Sequence, residues 1–203
     1  NEEKESGRVD LQSNPELQGL EYFGILLDAI SAKQCLDVCY KPFDKEKNNT
    51  NFSPYKLKQF NNRWYVIGKS PQYKNISIYP LDRIIGIEII KSKYEEPTID
   101  FEELFDDQIG ISITSDEVPV EDVILKIQND RYPYIETKPL HWSQTELKEQ
   151  ATEKTRTIRI RVYNNKELRQ QILSFGNDIE VLAPSKLREQ SKKQIAALYE
   201  KYK

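Results

Sequence analysis

Apolar residues recur along the first 90 positions with two different periods. Between Leu17 and Lys33 they follow a spacing of three and four residues, which predicts one amphipathic helix. Five short runs of alternating or continuous apolar residues follow and predict strands at 35–40, 52–60, 63–68, 76–79 and 84–90. We expect the asparagine-rich stretch 47–51 to be a loop, and Asn61 and Asn62 to form the tight turn of a hairpin. One helix with five short strands is typical of a small, strongly bent β-barrel.

The pattern after residue 117 predicts a second arrangement. The expected elements are a strand over 118–128, a short helical segment or turn at 133–137, a strand pair at 142–151 and 155–163, a helix over 166–175, a strand over 178–182 and a last helix from Pro184. Gly176 ends the first of the two longer helices. The order β-(α)-β-β-α-β-α is typical of a ferredoxin-like α+β sandwich.

Acidic residues are concentrated in the middle of the chain. Residues 95–122 contain 11 Asp or Glu and no Lys or Arg, so the remainder carries 30 basic residues against 22 acidic ones. We interpret residues 95–117 as a solvated connector with a short helix at Phe101, Leu104 and Phe105. The alternative is an acidic strip that competes with nucleic acid for basic patches.

This interpretation divides the 203 residues into four segments. Residues 1–15 are a polar linker remnant, 16–94 a barrel with its leading helix, 95–117 the connector and 118–203 a second domain. The sequence contains no methionine, even at position 1, so we take it to be a fragment of a longer protein.

The composition disfavours several classes of function. His141 is the only histidine and Cys35 and Cys39 are the only cysteines, which is too few for a His/Cys zinc site or for Ser/His or Cys/His catalysis. We expect two reduced, buried thiols, no metal, no cofactor, no catalytic residues and no enzymatic activity. The chain has neither an apolar run of about 18 residues nor a signal peptide, so we expect a cytoplasmic protein without a membrane partner.

Three motifs together resemble the WYL domain of bacterial transcription regulators. They are Pro54-Tyr-Lys-Leu57, Arg63-Trp-Tyr-Val-Ile-Gly68 and Tyr79-Pro-Leu-Asp-Arg-Ile84. Val66 stands in place of the leucine of the name-giving triplet, and residues 81–84 match the family's Leu-Asp-Arg-Ile ending. The second half, through Leu173-Ser-Phe-Gly176 and Val181-Leu-Ala-Pro184, is similar to the C-terminal extension that follows many WYL domains. The resemblance covers nearly the whole chain.

The resemblance implies a ligand-sensing Sm/SH3-like barrel behind an N-terminal winged helix-turn-helix. The expected fold is therefore α+β, with a small Sm/SH3-like β-barrel followed by a ferredoxin-like domain. The implied partners are a single-stranded nucleic acid or nucleotide effector, and duplex DNA through the N-terminal domain that this chain lacks. Homodimerisation through the extension is also an option. The family often has arginines near the positions of Ser77 and Pro80, and this chain has neither.

The candidate ligand-binding surface follows from strand alternation around the Arg63 strand. If Trp64 and Val66 face the core, Arg63 and Tyr65 lie at the surface, where they can pair with phosphate and stack on a base. The full candidate set is Tyr55, Lys56, Arg63, Tyr65, Ser77, Tyr79 and Arg83. The alternatives are half-buried packing for the two tyrosines Tyr65 and Tyr79, and an ion pair with Asp82 for Arg83.

A possible second patch lies in the C-terminal half. Arg159 and Arg161 share one strand face, and His141 adjoins Trp142 in a segment suited to stacking and hydrogen bonding. The alternatives are an exposed sheet face balanced by glutamates, and a structural role for His141.

These features favour the ligand-sensing regulatory region of a transcriptional regulator. The alternative from another class is a protein-interaction module that binds a peptide or partner domain through its tyrosine-rich face, without nucleic acid. A steep salt dependence of binding distinguishes the two hypotheses, because neutralising phosphates releases counterions.

Overall fold

The structure, a computed structural model, describes residues 17–113 and 118–203 and forms two compact units. The first unit ends at Thr98 and the second begins at Ile99, inside the predicted connector. Each unit combines helices with one antiparallel sheet, which confirms the α+β class. The predicted linker remnant 1–15 lies outside the described residues.

The first unit contains one helix and five strands: α1 (Phe23–Ser31), β1 (Leu36–Tyr40), β2 (Asn48–Phe60), β3 (Arg63–Lys69), β4 (Ser77–Pro80) and β5 (Ile84–Ile89). The strand order is β4-β3-β2-β1-β5, and each neighbouring pair is antiparallel. In the described residues β4 and β5 are the two edges and no ladder joins them. The sheet is therefore open, and the predicted closed barrel is not confirmed.

Helix α1 begins six residues later than its apolar spacing predicts. Gly19 has a left-handed backbone with φ of 87°, and a 3₁₀ turn at Leu20–Tyr22 follows it. A Cβ atom at Gly19 would lie 2.2 Å from the backbone carbonyl of Leu81, so the chain passes too close to that residue for a side chain. Tertiary contact rather than periodicity sets the start of this helix.

The asparagine-rich stretch is the first part of strand β2, so the loop prediction is wrong there. Asn49 and Asn51 are exposed, whereas Thr50 and Phe52 between and after them are buried. This is the two-residue alternation of a strand with one solvated face. Residues Asn48 to Phe52 pair with β1, and the remainder of β2 pairs with β3, with a bulge between Pro54 and Lys56.

The predicted β2–β3 hairpin is confirmed, and so is the prediction that Trp64 and Val66 face the core. Asn61 and Asn62 connect β2 to β3 with φ angles of 47° and 59°, as a two-residue hairpin turn requires. Val66 is fully buried, and Trp64 packs edge-on against Phe23 of α1 with ring centroids 4.9 Å apart. The buried core of this unit comprises Leu26, Ala29, Leu36, Val38, Phe52, Val66, Tyr79, Leu81 and Ile84.

The second unit contains α2 (Phe101–Asp106), β6 (Val120–Gln128), α3 (Tyr132–Thr137), β7 (Thr145–Glu146), β8 (Thr155–Tyr163), α4 (Lys166–Ser174), β9 (Ile179–Ala183) and α5 (Ser185–Glu200). Its strand order is β7-β8-β6-β9, again antiparallel throughout. The element order agrees with the prediction, and helices α3, α4 and α5 all lie in the predicted places.

The predicted strand over 142–151 is mostly not a strand. Only Thr145 and Glu146 pair with β8. On one side the Gln144 side chain closes a turn by accepting from the Leu140 amide at 2.9 Å, and on the other Lys148–Gln150 forms a 3₁₀ turn. Local hydrogen bonds therefore replace the strand pairing with β8 that the alternation of residues 142–151 predicts.

The predicted connector is packed at two places rather than solvated throughout. In the first unit the Glu95 amide donates to the Ser53 hydroxyl at 3.0 Å. In the second unit Ile109 joins the buried core, and its carbonyl accepts from the Asn165 side chain at 2.8 Å. Helix α2 has the predicted position, with the Asp100 side chain accepting from the Glu102 amide at its start.

Both cysteines are free thiols, as predicted, but only Cys35 is buried, while Cys39 is half-buried. None of the helices in the described ranges combines the length and apolarity needed to cross a bilayer.

Candidate functional site

An open cleft of about 800 Å³ lies in the first unit, between the segment after β1 and the segment around β4. This volume is in the range of about 300–1,000 Å³ that small-molecule sites occupy. The cleft is lined by Tyr40, Pro42, Lys45, Glu46, Lys47, Asn48, Tyr73, Lys74, Asn75, Ile76, Ser77, Ile78 and Tyr79.

The floor of the cleft is aromatic. The rings of Tyr40 and Tyr79 lie 4.7 Å apart, and Tyr79 also contacts Phe52 of the core at 5.1 Å. Tyr79 is 8% exposed, and its buried hydroxyl lies close to the hydroxyls of Ser77 and Thr50 without forming a well-directed hydrogen bond to either. Burial raises the pKa of Tyr79, so the phenol is neutral and keeps its proton for donation.

The rim of the cleft is basic. Lys45, Lys47 and Lys74 are exposed lining residues, and Glu46 is the one acidic lining residue. An excess of lysine ammonium groups above tyrosine rings suits an anionic, aromatic ligand, because the ammonium groups attract phosphate and the rings offer stacking surfaces.

Two contacts fix the loop that carries Tyr73 and Lys74. The Lys69 ammonium donates to the Tyr73 carbonyl at 2.7 Å and to the Lys74 carbonyl. The hydroxyls of Thr50 and Ser70 lie 2.6 Å apart in the interior. The loop is thereby attached to both β2 and β3, so the strands position this wall of the cleft.

Family models match both units of the chain. The WYL domain matches residues 21–89, and the WCX domain matches residues 119–199. This chain belongs to the WYL-domain proteins. The cleft lies within the WYL domain, and the WCX domain corresponds to the C-terminal extension that the sequence motifs indicated.

Two solved structures were compared with this WYL–WCX chain. Proteasome accessory factor B/C (PafBC) of Arthrobacter aurescens has 16% identity and a TM-score of 0.38, and the match covers 83% of this chain and 25% of that one. A CRISPR Cas-related protein has 13% identity and a TM-score of 0.54, with coverage of 91% and 52%. The second likeness shows a shared fold. This chain spans about a quarter of the length of the first and about half of the second. The comparison with curated proteins found no match.

The cleft of the WYL domain includes only two residues of the predicted ligand surface, Ser77 and Tyr79. Arg63 lies elsewhere, with its Nε atom 3.3 Å from Oδ2 of Asp82. Arg83 lies over the exposed ring of Phe43 at 4.0 Å. Asp82 therefore pairs with Arg63, whereas the alternative interpretation paired it with Arg83.

The remaining predicted residues of the WYL domain lie on β2 and β3. The ring of Tyr55 meets Tyr94 edge-on at 5.9 Å, and burial, followed by the neighbouring Tyr94, Glu95 and Glu96, raises the pKa of Tyr55 to about 12. Tyr65 is half-buried and lies opposite Lys58 and Pro80 in the sheet register, and Lys56 is exposed. Both stay predicted ligand residues on a second surface of this domain.

The predicted second patch divides into an exposed part and a buried part. Arg159 and Arg161 are exposed on one face of β8. His141 is buried, with Nδ1 2.7 Å from the Ser143 hydroxyl and Nε2 2.6 Å from the Asp106 carbonyl. Burial lowers the pKa of His141. These bonds support the structural alternative for His141.

Trp142 shares the acceptor of His141 but remains accessible. Its indole nitrogen donates to the Asp106 carbonyl at 2.8 Å, while 72% of the residue is exposed. The ring planes of His141 and Trp142 are tilted by 41° at 5.5 Å.

Sequence reasoning missed the basic and aromatic residues contributed by loops. Lys45, Lys47, Tyr73 and Lys74 lie in two polar segments, and the strand order of the sheet brings those segments to one cleft. The available signal was composition: the segment 41–51 after the Tyr40 strand is rich in lysine and asparagine, although the segment 70–76 before the Tyr79 strand contains only one of each.

Proposed function

We propose that this chain is the ligand-sensing regulatory region of a bacterial transcriptional regulator, and that its WYL domain binds a nucleic-acid or nucleotide effector. The observation that carries the proposal is the cleft in which Lys45, Lys47 and Lys74 surround the tyrosine rings. The lysines pair with phosphate, and the exposed ring of Tyr73 and the half-buried ring of Tyr40 stack on bases. Ser77 adds a hydroxyl group near one of the two positions where the family often has arginine, and Pro80 occupies the other.

The regulatory output in this proposal is a shift between two populations. An effector changes the equilibrium only by the difference between its affinities for two conformations. Duplex DNA is contacted by a separate N-terminal domain, and the effector-bound WYL domain alters that domain's preference for DNA. A homodimer formed through the WCX domain fits the same scheme.

The finer fold assignment is part of the proposal. The order β4-β3-β2-β1-β5, with β2 shared between two ladders, supports an open variant of the Sm/SH3-like class. The order β7-β8-β6-β9 with helices after β6 and β8 supports a ferredoxin-like WCX domain.

We further propose a cytoplasmic protein that acts by binding and not by catalysis. Both ring nitrogens of His141, the one histidine, have partners within the second unit. Among the residues described, no three His, Cys, Asp or Glu side chains group closely enough to hold a metal ion.

An open sheet edge favours the second candidate, a protein-interaction module. Strand β5 is an edge of the WYL sheet, and it exposes 49% of Ile85 and 54% of Ile89. An extended peptide can add to such an edge through main-chain hydrogen bonds while its side chains cover the isoleucines.

Fluorescence anisotropy with single-stranded DNA, single-stranded RNA and duplex DNA tests the first candidate. Each oligonucleotide is titrated at low and moderate salt. The double variant Lys47→Gln/Lys74→Gln removes charge from the cleft, and Arg63→Ala/Tyr65→Ala tests the β2–β3 surface. Lys91→Gln/Lys93→Gln makes the same charge change at exposed lysines outside the cleft.

We expect salt-sensitive binding of one single-stranded species, weakened at least tenfold in the cleft variant and unchanged in the lysine control. Loss of oligonucleotide binding in the Arg63→Ala/Tyr65→Ala variant alone would show that the effector site is the β2–β3 surface and not the cleft. If none of the three oligonucleotides binds, the nucleic-acid ligand is rejected and the protein-interaction module is favoured. Binding of the chain to a peptide array then tests that candidate, and Ile85→Lys, which places a charge on the β5 edge, should abolish such binding.

A further inference from the structure

A second cavity, of about 550 Å³, lies within the WCX domain and is distinct from the WYL cleft. Helix α4, strand β9 and helix α5 form its walls. The lining residues are Ile172, Leu173, Gly176, Asn177, Ile179, Glu180, Val181, Arg188, Ser191, Lys192, Ile195, Ala196 and Tyr199. Six of these residues are aliphatic and five are polar or charged, and a combination of apolar walls with placed polar groups is typical of small-molecule sites.

Helix α5 gives this cavity a polar end and an apolar end. Its lining positions 188, 191, 192, 195, 196 and 199 follow helical spacing, so they form one stripe along the helix. Arg188, Ser191 and Lys192 occupy the first turns of the stripe, and Ile195, Ala196 and Tyr199 occupy the last. The exposed Ile195 and Tyr199 leave the apolar end open, at 54% and 61% exposure.

Positive charge exceeds negative charge at the polar end. Arg188 Nη2 lies 2.8 Å from Glu180 Oε1, and Lys126 pairs with the other oxygen of the same carboxylate. These two cations lower the pKa of Glu180 and already neutralise it. Lys192 on the cavity wall adds a further positive charge, so the polar end is complementary to an anion.

Ser191 provides an independent indication of a ligand. The residue is 7% exposed and lines the cavity, and its hydroxyl has no hydrogen-bond partner within the described structure. A serine inside a helix commonly bonds to the carbonyl four residues earlier, and a buried hydroxyl without a partner is unfavourable. The oxygen is closed off from solvent in this rotamer, so a rotation of the side chain is needed before a polar ligand atom at the same end of the cavity can bond to it.

We propose that the WCX cavity binds a small monocarboxylic acid with an aliphatic body. Its carboxylate lies at Lys192 and Ser191, and its chain extends along α5 towards Tyr199. The aliphatic side chains of Ile172, Ile179 and Val181 cover the chain from the opposite side of the cavity. This would give the chain an effector site separate from the nucleic-acid site of the WYL domain.

Isothermal titration calorimetry of the full chain with octanoate tests the proposal. Octan-1-ol serves as the ligand control, since it has the same aliphatic body and no charge. Lys192→Gln removes the cation from the cavity, and Lys193→Gln makes the same change one residue away, outside the lining. Ala196→Trp fills the apolar end, and Ala197→Trp adds the same side chain at a position that does not line it.

We expect saturable binding of one octanoate per chain. Lys192→Gln weakens octanoate about two- to fivefold and leaves octan-1-ol unchanged, as loss of an exposed ion pair predicts. Ala196→Trp abolishes binding of both ligands, and the two control variants bind as the original chain does. Far-UV circular dichroism shows whether each variant is folded, and hydrogen exchange shows whether octanoate protects α4 and α5 in the unsubstituted chain.

Three outcomes would overturn the proposal. They are absence of octanoate binding to the unsubstituted chain, equal binding by Ala196→Trp and Ala197→Trp, and protection confined to elements other than α4 and α5. If Ala196→Trp instead converts a dimer into a monomer and octanoate does not bind, the groove is an interface between two copies. None of these results depends on oligonucleotide binding. If the octanoate proposal is rejected, the proposed nucleic-acid site in the WYL cleft is still tested separately by fluorescence anisotropy.

Discussion

The hydroxyl oxygens of Thr50 and Ser70 lie 2.6 Å apart in the interior of the WYL domain, where the two residues are 1% and 0% exposed. Thr50 belongs to β2, and Ser70 is the first residue after β3. The contact therefore holds an asparagine-rich segment in the sheet and attaches the loop that leads to Tyr73. It connects the stability of the sheet to the shape of the cleft.

We predict that Thr50→Val lowers the free energy of unfolding of the WYL domain by about 1–2 kcal/mol, because Ser70 loses its buried partner. Urea denaturation followed by Trp64 fluorescence, in a Trp142→Phe background, measures the change. Ser31→Ala is the control in the same domain: its hydroxyl donates to the Leu27 carbonyl at 2.9 Å at the exposed end of α1. Equal effects of the two substitutions would show that burial of the Thr50 pair is unimportant.

Two glycines of the WYL domain differ in the space around them. A Cβ atom at Gly68 would lie 2.3 Å from the Ser53 carbonyl oxygen and 2.5 Å from the Phe52 ring, whereas one at Gly24 in α1 would have no neighbour within 4 Å. We predict that Gly68→Ala costs about 1–3 kcal/mol of stability through overpacking. Gly24→Ala raises stability by up to about 1 kcal/mol through helix propensity. Thermal denaturation of both variants compares them, and a stable Gly68→Ala protein would contradict the close approach of β2 and β3.

Asn165 bonds in two directions at the start of α4. Its side chain accepts from the Leu168 amide and donates to the Ile109 carbonyl, each at 2.8 Å. We predict that Asn165→Ala lowers WCX-domain stability by about 2 kcal/mol, and that Asn165→Ser recovers part of this by restoring the cap. Asp100→Ala removes the exposed cap of α2 for comparison. Chemical denaturation measures the free energy of unfolding of each variant. If Asn165→Ser is no more stable than Asn165→Ala, the whole effect comes from the lost bond to the Ile109 carbonyl.

The stability of the WCX domain is predicted to fall as the pH decreases from 7.5 to 5.5. Burial lowers the pKa of His141 below its ordinary 6.5, although the Asp106 carbonyl and the charges of Asp107 and Asp106 act in the opposite direction. Below about pH 6.5 the unfolded chain therefore binds a proton that the folded chain does not, which favours unfolding. Differential scanning calorimetry across this range measures the change.

The control for this pH dependence is His141→Gln, which removes the titrating group. The WYL domain contains no histidine, so its melting temperature serves as an internal reference over the same range. A pH profile unchanged by His141→Gln would show that another group causes the dependence.

Local pattern was sufficient for much of the fold. Alternation and turn residues located the β2–β3 hairpin, and three motifs between Pro54 and Ile84 together indicated the family whose model matches residues 21–89. Prediction failed where a long-range contact decided the outcome. The Leu81 carbonyl delays helix α1 at Gly19, and the β1 ladder makes a strand of the asparagine-rich stretch.

The candidate site was predictable only in part for the same physical reason. Ser77 and Tyr79 lie on a strand that the sequence located, and both line the cleft. The lysines of the cleft come from two loops whose meeting depends on strand order, and periodicity contains no information about that order. The sequence also did not show which arginine pairs with Asp82. The partner is Arg63, which is distant in sequence, and not the adjacent Arg83.

The two-residue turn at Asn61 and Asn62 limits how this protein can be engineered. It aligns Phe60 with Arg63, and through that pairing it sets the partners between β2 and β3 as far as Lys56 and Ile67, where the bulge shifts the register. One inserted residue that propagated along the hairpin would turn Val66 from the interior to the solvent. Labels, affinity tags or circularly permuted termini are therefore better placed in the exposed turn 151–154 of the WCX domain, where no strand register depends on a two-residue connection.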